Sequence, residues 1–428
     1  MKERKEFAKY VSQNVLGTVG VSLYILADTY FIAQAVGPNG ITALNLVLPV
    51  YSIIFAFGQM IGIGSAIRYG IAKSQGSEEK DLLFGNAIFF VFLASALFML
   101  VGALSPEQLL RVLGADEVIV AVGKNYTRIF MCFAPCFMLN YVCNAFVRND
   151  GNPTTAMIAT LFSSFFNILF DYILMFPLGM GMTGAALATA ASPLITMLVC
   201  SMHFGGRKNH VAFRWKRLDL KHILSCCALG ISAFVGEISS AVITIVFNML
   251  ILGIAGNVGV AAYGVIANLS IVAMSICNGL AQGVQPLISE SHGRGDRMQV
   301  KKFLRWGILT SLVVEMVMVA AAWGWTDGWI VIFNSEQNTA LLSYAHVGLR
   351  LYFLGFLFAG MNIMLVAYFS AVDRPRPAIV GSLMRGMIAI VVCAIVFASL
   401  FGLNGVWLSF LGSEVITFAV ILVLGRKQ

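Results

Sequence analysis

The sequence predicts an all-α, polytopic membrane protein with twelve transmembrane helices in two pseudo-symmetric six-helix bundles. Three observations predict this class: the composition, a succession of long apolar runs, and an internal repeat. Of the 428 residues, 59% are hydrophobic and 11% are charged, and the mean hydropathy is +0.86. Soluble proteins carry about 25% charged residues, so this chain could not cover its surface in water. The composition therefore excludes a soluble enzyme and a disordered chain.

The apolar runs have the length of membrane-spanning helices. A helix needs about 20 mostly apolar residues to cross the hydrocarbon core of a bilayer, and twelve such runs lie between polar breaks. The first run is too long for the apolar core of a signal peptide, so we expect it to remain as span 1. The predicted spans are residues 9–34, 41–67, 82–104, 119–147, 154–177, 183–204, 221–252, 258–289, 302–325, 340–371, 377–401 and 404–425.

The basic residues alternate between the two sides of the predicted membrane. Of the 28 Lys and Arg residues, 23 lie at the termini, in the even-numbered loops or at the edges of those loops, whereas the odd-numbered loops and their edges hold only Arg111 and Lys124. Basic residues concentrate in cytoplasmic loops, so we expect a plasma-membrane protein with both termini in the cytoplasm. The net charge of +8 is then explained by contact with the lipid bilayer, and no nucleic-acid partner is expected.

The two halves of the chain resemble each other in sequence. Six spans followed by six, each half starting on the same side, indicate a parallel duplication about an axis normal to the membrane. This predicts an N-terminal lobe over residues 1–215 and a C-terminal lobe over residues 216–428, with a cavity between them, as in two-lobed secondary transporters. Residues that match at an offset of 222 include Arg128 with Arg350, Asn140 with Asn362, and Pro153 with Pro375.

The chain lacks the short motifs of ATP-driven pumps and of hydrolases. It has no phosphate-binding Gly-rich loop with Lys, no GxSxG and no HExxH. The eight cysteines fall inside apolar runs and form no CxxC pair, so we expect no disulfide or metal role for them. These features predict that the protein is not an enzyme and has no cofactor other than H⁺ or Na⁺ as a coupling ion.

Four polar residues of spans 1, 5 and 6 are predicted to form a cation site. Asp28, Asp171 and Thr189 each lie about six residues from the outer end of their span, and so about 9 Å below the outer interface. Asn167 precedes Asp171 by one helical turn on the same face. Ionisable groups at this depth are functional candidates, and these oxygens suit a proton, or Na⁺ as a bound metal ion. The alternative is that each aspartate separately caps a helix or hydrogen-bonds to backbone.

A second set of residues is a candidate for substrate binding. A carboxylate at mid-depth, Glu237 in span 7, would attract a cationic substrate if it faces a cavity, and Asn248 lies on a similar face three turns later. The alternative for Glu237 is a neutral, hydrogen-bonded side chain in helix packing. The remaining candidates for substrate contact are Gln282, Gln34 and Met60.

Glu315, Glu414 and Arg385 also fall inside predicted spans. Glu315 and Glu414 are expected to serve packing or ion pairing on the cytoplasmic side. Arg385 is expected to reach the cytoplasmic interface from span 11.

Several segments together resemble the multidrug and toxic compound extrusion (MATE) family, in its bacterial branch, and the resemblance covers essentially the whole chain. It implies two six-helix bundles in a V that export organic cations in exchange for Na⁺ or H⁺. It also implies that the cation is held by Asp28, Asn167, Asp171 and Thr189, in agreement with the depth argument. The segments are residues 27–32 with 37–49, Asn167-Ile-Leu-Phe-Asp171, Gly181–Thr189, Glu237-Ile-Ser-Ser with Asn248, and Gln285-Pro-Leu-Ile-Ser289.

We therefore predict a monomeric secondary antiporter that exports organic cations or drugs across the plasma membrane in exchange for H⁺ or Na⁺ by alternating access. A related flippase for lipid-linked sugars is the alternative, although its pyrophosphate substrate would favour a more cationic cavity. A channel or a receptor has less need of the internal symmetry. A major-facilitator transporter also has six plus six spans, but its charged Gly-rich loop is absent from residues 68–80.

Overall fold

The computed structural model describes residues 2–207, 209–214, 220–333 and 339–426. Within these ranges the chain forms sixteen α-helices and one π-helical segment, and it contains no strand. The helices are α1 Lys2–Ala35, α2 Pro38–Ser74, α3 Lys80–Leu104, α4 Pro106–Val112, α5 Glu117–Cys132, α6 Ala134–Asn149, α7 Pro153–Met175, α8 Gly181–Phe204, α9 Leu220–Gly293, α10 Arg297–Gly324, α11 Thr326–Phe333, α12 Thr339–Phe353, α13 Phe356–Ala371, α14 Pro375–Leu383, α15 Ala389–Phe401 and α16 Leu403–Arg426, with the π segment Met384–Ile388 between α14 and α15.

These helices provide the twelve predicted spans. Nine helices of the described part are long and apolar enough to cross a membrane, and two bent pairs bring the number to eleven. The long helix α9 holds two spans, because its backbone breaks at Gly256, where φ is 63° and the helix cannot continue. The protein is therefore a multi-pass membrane protein with twelve membrane-spanning segments.

Two of the spans are not the continuous helices that were expected. Span 4 consists of α5 and α6, which meet at 46°, and span 10 consists of α12 and α13, which meet at 42°. Pro135 lies in the first turn of α6, where the missing N–H of proline is tolerated at a helix start. Each bent pair follows a short helix, α4 or α11, that carries the chain across the end of its bundle.

The second half repeats the backbone of the first. Both halves show two long spans, a third span, a short helix, a bent pair and two final spans in the same order. Three pairs of positive φ angles lie at equivalent positions. They are Gly37 at 78° with Gly256 at 63°, Gly181 at 50° with Gly402 at 59°, and Gly151 at 96° with Asp373 at 59°. The matching turns support the duplication.

The hydrophobic interior is divided between the halves. One buried cluster is built mainly from α2, α3, α5, α6 and α8 and also includes Cys226 of α9, and a second is built mainly from α9 onwards. The start of α1 crosses over, because Phe7, Tyr10 and Val11 belong to the second cluster. The predicted lobe boundary falls between residues 215 and 216, outside the described residues. The lobes 1–215 and 216–428 therefore stay a prediction, and we call the helices α1–α8 the first half and α9–α16 the second half.

The two halves meet at the end of the molecule where α1 begins and α16 ends, which we call the terminal end. Gly64 and Gly230 let α2 and α9 approach closely, since a Cβ on either glycine would lie 2.0 Å from a carbonyl oxygen of the other helix. Farther along, the rings of Phe57 and Phe234 lie 5.2 Å apart. Hydrogen bonds and ring contacts between described residues of the two halves extend no farther than this level. We infer that the predicted cavity between the halves lies toward the opposite end, the far end, and we call it the cleft.

Candidate functional site

Small residues bring α1, α7 and α8 together within the first half. A Cβ on Gly20 of α1 would lie 2.7 Å from the Leu161 side chain of α7, and one on Gly184 of α8 would lie 3.0 Å from the Leu174 backbone. Near the far end, the ring of Phe31 on α1 lies 5.9 Å from that of Phe176 on α7. The three helices are thus in contact along the stretch that carries the predicted cation site.

The four predicted cation-site residues lie at similar depth on these helices. Asp28 lies seven residues before the end of α1, Asp171 four before the end of α7, and Thr189 eight after the start of α8. At 1.5 Å per residue these positions are about 6 to 12 Å from the far ends of their helices. Asn167 is one turn deeper than Asp171 on α7. Asp28 and Asp171 lie close enough to interact electrostatically.

The polar atoms of this site are buried without hydrogen-bond partners among the described residues. Asn167 and Asp171 are fully buried and Thr189 is 7% exposed. Atoms without a partner are both oxygens of Asp171, Oδ1 of Asp28, both amide atoms of Asn167 and Oγ1 of Thr189. Buried polar groups are normally paired, and an unpaired buried carboxylate is costly. The alternative of separate backbone hydrogen bonds is not seen for Asp171, and the oxygen atoms suit a proton or a hard cation.

Three tyrosines that the sequence analysis did not select lie around the two carboxyl groups. Tyr24, Tyr51 and Tyr126 are close enough to Asp28 to interact with it electrostatically. The hydroxyls of Tyr51 and Tyr126 hydrogen-bond to each other. Tyr24 could have been found, because it precedes Asp28 by four residues on one helix face. The other two come from α2 and α5, and nothing in their sequence context marks them.

Glu237 lies where the contact between the halves gives way to the cleft. Gln59 of α2 donates a hydrogen bond of 2.8 Å from Nε2 to Glu237 Oε2 of α9. The Glu237 carboxyl group of the second half is therefore hydrogen-bonded to the first half, at the level that we call the floor of the cleft. Asn248 is half-buried and lies about 16 Å farther toward the far end on the same helix. Gln59 was missed, because a single glutamine in an apolar helix carries no charge signal.

The other three substrate candidates are dispersed. Gln34 is exposed at the far end of α1. Met60 is 8% exposed, and its carbonyl oxygen is the atom that faces Gly230. Gln282 lies in the contact between the halves, where its Oε1 accepts a hydrogen bond of 2.8 Å from Arg148. The structure thus does not bring Gln34 and Gln282 to the cleft floor with Glu237.

A buried arginine joins the two halves at the terminal end. Arg148 of α6 is 4% exposed, and its Nη1 donates to Asn14 Oδ1 at 3.1 Å as well as to Gln282. Next to it, Gln285 of α9 donates to Asn149 Oδ1 at 3.3 Å. Arg148 is one of the 23 basic residues that indicate topology in the sequence, and its position at a loop edge does not mark it as a residue of the contact between the halves.

Arg385 does not reach the cytoplasmic interface, contrary to the expectation from the sequence. Its Nη2 lies 2.7 Å from Glu414 Oε1, and its side chain is 15% exposed. The π segment Met384–Ile388 adds a residue to the helix turn that carries Arg385, and such bulges often re-aim side chains at functional sites. Ion pairing is confirmed for Glu414, but inside the second half.

The comparisons with known proteins agree with this architecture. The MatE family model matches residues 15–173 and 233–395. The multidrug export protein MepA of Staphylococcus saprophyticus is 26% identical over 421 residues, covering 96% of this chain and 91% of the relative. MepA of Staphylococcus aureus strain MRSA252 is 27% identical over 419 residues, with the same coverage.

Two solved structures share the fold. An outward-facing multidrug resistance MATE family transporter of the MOP superfamily matches with a TM-score of 0.92 and 20% identity, over 99% of this chain and 95% of that chain. A MOP superfamily transporter from Pyrococcus furiosus, described as having a binding pocket of reverse polarity, matches with a TM-score of 0.90, 20% identity and the same coverage. Because the family model covers more than half of the sequence, in both halves, this chain belongs to the MatE family.

Proposed function

We propose that this MatE-family protein is a secondary antiporter that exports organic cations or drugs across the plasma membrane in exchange for H⁺ or Na⁺. It is a transporter and not an enzyme. The observation that carries the coupling proposal is the set of buried, unpartnered polar atoms on Asp28, Asn167, Asp171 and Thr189. The curated relatives named as multidrug export proteins support the class of substrate.

The coupling follows from the two carboxyl groups on different helices. With both Asp28 and Asp171 ionised, their repulsion opposes close packing of α1 against α7. A bound proton or Na⁺ removes that repulsion and so favours a different arrangement of the two helices. An ion can drive a conformational change only through such a difference in affinity between states.

The substrate proposal rests on Glu237. A cationic drug in the cleft would compete with Gln59 for the Glu237 carboxylate. Because Gln59 belongs to the first half and Glu237 to the second, this competition would change a contact between the halves. Drug binding and the opening of the terminal end would then be linked.

In the proposed orientation both termini lie in the cytoplasm, so the terminal end faces the cytoplasm and the far end faces the outside. Alternating access then requires the hydrogen bonds of Arg148 to Asn14 and Gln282 to break when the terminal end opens. A flippase for a pyrophosphate-linked sugar is not favoured, because the charged group at the cleft floor is the acidic Glu237 and Arg148 is buried inside the contact.

The test is ethidium transport by the purified protein in lipid vesicles, with an imposed Na⁺ gradient and, separately, a pH gradient. Asp28→Asn and Asp171→Asn should each reduce efflux driven by one of the two gradients by about tenfold or more, which corresponds to about 1.4 kcal/mol of lost coupling. Asp327→Asn is the matched control, because this aspartate is 69% exposed on α11 and should leave efflux unchanged. Wild-type efflux by both site variants under both gradients would rule out the proposed coupling site.

A further inference from the structure

The second half contains a buried carboxyl group that the proposed transport cycle does not use. Glu315 of α10 is fully buried. Its Oε1 accepts the Met361 N–H of α13 at 3.0 Å and the Ser311 hydroxyl at 3.3 Å. A Cβ on Gly360 would lie 2.1 Å from this oxygen and 3.1 Å from Cys277 Sγ of α9. Only glycine at position 360 leaves room for the carboxyl group, so three helices form a fitted pocket around it.

The charged neighbours of this pocket already neutralise each other. Arg385 binds Glu414 through Nε at 3.1 Å and Nη2 at 2.7 Å. Asn362 of α13 donates from Nδ2 to Glu414 Oε2 at 2.7 Å. The ionisable groups near Glu315 are thus Glu414, Arg385 and Cys277. Among the described residues, no Lys, Arg or His forms an ion pair with Glu315 itself.

The second oxygen of Glu315 is unsatisfied in either protonation state. Glu315 Oε2 has no hydrogen-bond partner among the described residues, and neither has Oδ1 of the fully buried Asn362. In the carboxylate form, Oε2 would lack a donor and the group would lack an ion-pair partner, and in the acid form a proton on Oε2 would lack an acceptor. A conformational change that brings a partner to Oε2 would therefore favour one protonation state of Glu315 over the other.

The two halves carry their buried carboxyl groups in different places. At the repeat offset of 222, Asn167 and Asp171 correspond to Ala389 and Cys393, so the first-half site has no copy in the second half. Conversely, Arg385 corresponds to Ser163 at the offset of 222, and Glu414 corresponds to Pro193 at the offset of 221 that pairs Gly181 with Gly402, so this ion pair has no copy in the first half. Gly360 corresponds to Met138 at the offset of 222, so the equivalent position in the first half is not a glycine. The acidic pocket is therefore specific to the second half and is not a general feature of the repeat.

We propose that Glu315 is a second proton-binding site, which takes up and releases a proton as the halves move. A proton fits better than Na⁺, because Oε2 has no polar partner among the described residues, whereas Na⁺ needs several oxygen ligands. The wall of the pocket reaches the contact between the halves. Cys277 is two residues from Gly279, where a Cβ would lie 2.7 Å from Val15 Cα of α1. Separation of α9 from α1 can thus alter the Glu315 pocket.

The experiment is infrared difference spectroscopy of the full-length protein in lipid vesicles, between alkaline and acidic pH. The wild-type spectrum should contain a protonated-carboxyl band that Glu315→Gln loses. Glu290→Gln is the control, because this carboxyl group is exposed in an i,i+4 pair with Arg294 and its loss should leave the band in place. A Glu315→Gln spectrum identical to that of the wild type would overturn the proposal.

Two further variants keep the test decisive. If Glu315→Gln does not fold, Glu315→Asp retains a carboxyl group and should shift the band, and an unshifted band overturns the proposal. Protein with both Asp28→Asn and Asp171→Asn should keep the Glu315 band. The infrared test of proton binding by Glu315 is therefore independent of the proposed coupling site. Only the role of Glu315 in transport rests on the proposed antiport function. In transport, Glu315→Gln should lower the number of protons exchanged per drug.

Discussion

Asp150 shows how a single residue organises the terminal end of the first half. It lies in the turn between α6 and α7, and its side chain is fully buried. Lys73 Nζ binds its Oδ1 at 2.7 Å, the Tyr69 hydroxyl donates to the same oxygen at 2.8 Å, and the His210 amide donates to Oδ2 at 2.9 Å. Burial alone would raise the pKa of Asp150, but these hydrogen bonds and the Lys73 charge outweigh it and hold the pKa below its ordinary value.

Asp150→Asn should destabilise the protein by about 3 kcal/mol at neutral pH, because it leaves the Lys73 ammonium without its buried partner. Since the folded-state pKa of Asp150 lies below the unfolded value, its contribution is present above about pH 4 and is lost as the pH falls through the folded value. The measurement is thermal unfolding followed by tryptophan fluorescence between pH 3 and pH 8, with about one-unit steps. The difference from wild type should shrink at the acidic end.

The control for this prediction is Asp81→Asn. Asp81 pairs with Arg214, which is 71% exposed, and exposed ion pairs contribute little to stability. A difference between Asp150→Asn and wild type that grows toward acidic pH would contradict the assignment of an ionised Asp150.

At the scale of elements, the contact between α2 and α9 depends on two glycines, one on each helix, and each of them faces the backbone of the other helix. Gly64 of α2 faces the Cys226 carbonyl oxygen, and Gly230 of α9 faces the Met60 carbonyl oxygen, each at 2.0 Å from an added Cβ. Neither position has room for a side chain while the halves are in contact. These two helices therefore pack closely at the terminal end, and no ion pair joins their described side chains.

Gly230→Ala should open the terminal end, because its Cβ would collide with the backbone of Met60. Overpacking of this kind costs about 1–3 kcal/mol, and the cost disappears when the halves separate. Spin labels at Glu78 and Met298, exposed at the terminal end of the first and second half, should show a larger population of long distances. Gly236→Ala on the same helix is the matched control, since nothing lies within 4 Å of its Cβ. Equal distance distributions for the two variants would contradict this account.

At the scale of the whole molecule, the two halves form a V that is closed at the terminal end. Each half has its own main buried cluster, and the contacts between the halves concentrate on α1, α2, α6 and α9. The crossing of Phe7 into the second core makes α1 a connection between the halves as well as the carrier of Asp28. Movement of α1 can therefore link the coupling site to the contact between the halves.

Rigid rocking of the halves predicts opposite changes at the two ends. Labels at Leu178 and Trp325, both exposed at the far end, should approach each other under conditions that separate the terminal-end labels at Glu78 and Met298. Acidification or added Na⁺ should shift both pairs together in wild type, and Asp28→Asn should abolish the shift. The measurement is the distance distribution of each pair in lipid vesicles. Changes confined to one end would indicate local opening instead of rocking.

The sequence by itself determined the class, the twelve spans and the repeat. Composition, the length of the apolar runs and the spacing of the basic residues can all be counted along the sequence. In a bilayer, apolar runs of this length form membrane-spanning helices, and the basic residues set their orientation. The depth of Asp28, Asp171 and Thr189 also follows from residue counting, because the rise of a helix is constant. The predicted bounds missed the bends in spans 4 and 10, which apolarity does not reveal.

Only the tertiary structure decided which residues meet across the molecule. Gln59 binds Glu237 across 178 residues of chain, Arg148 binds Gln282 across 134, and Arg385 turns inward to Glu414 instead of outward to the interface. Such pairs depend on how helices pack, and side-chain periodicity within one helix carries no information about its neighbour. The terminal-end contact and the Glu315 pocket have the same origin, because both require a glycine on one helix to face a particular atom of another.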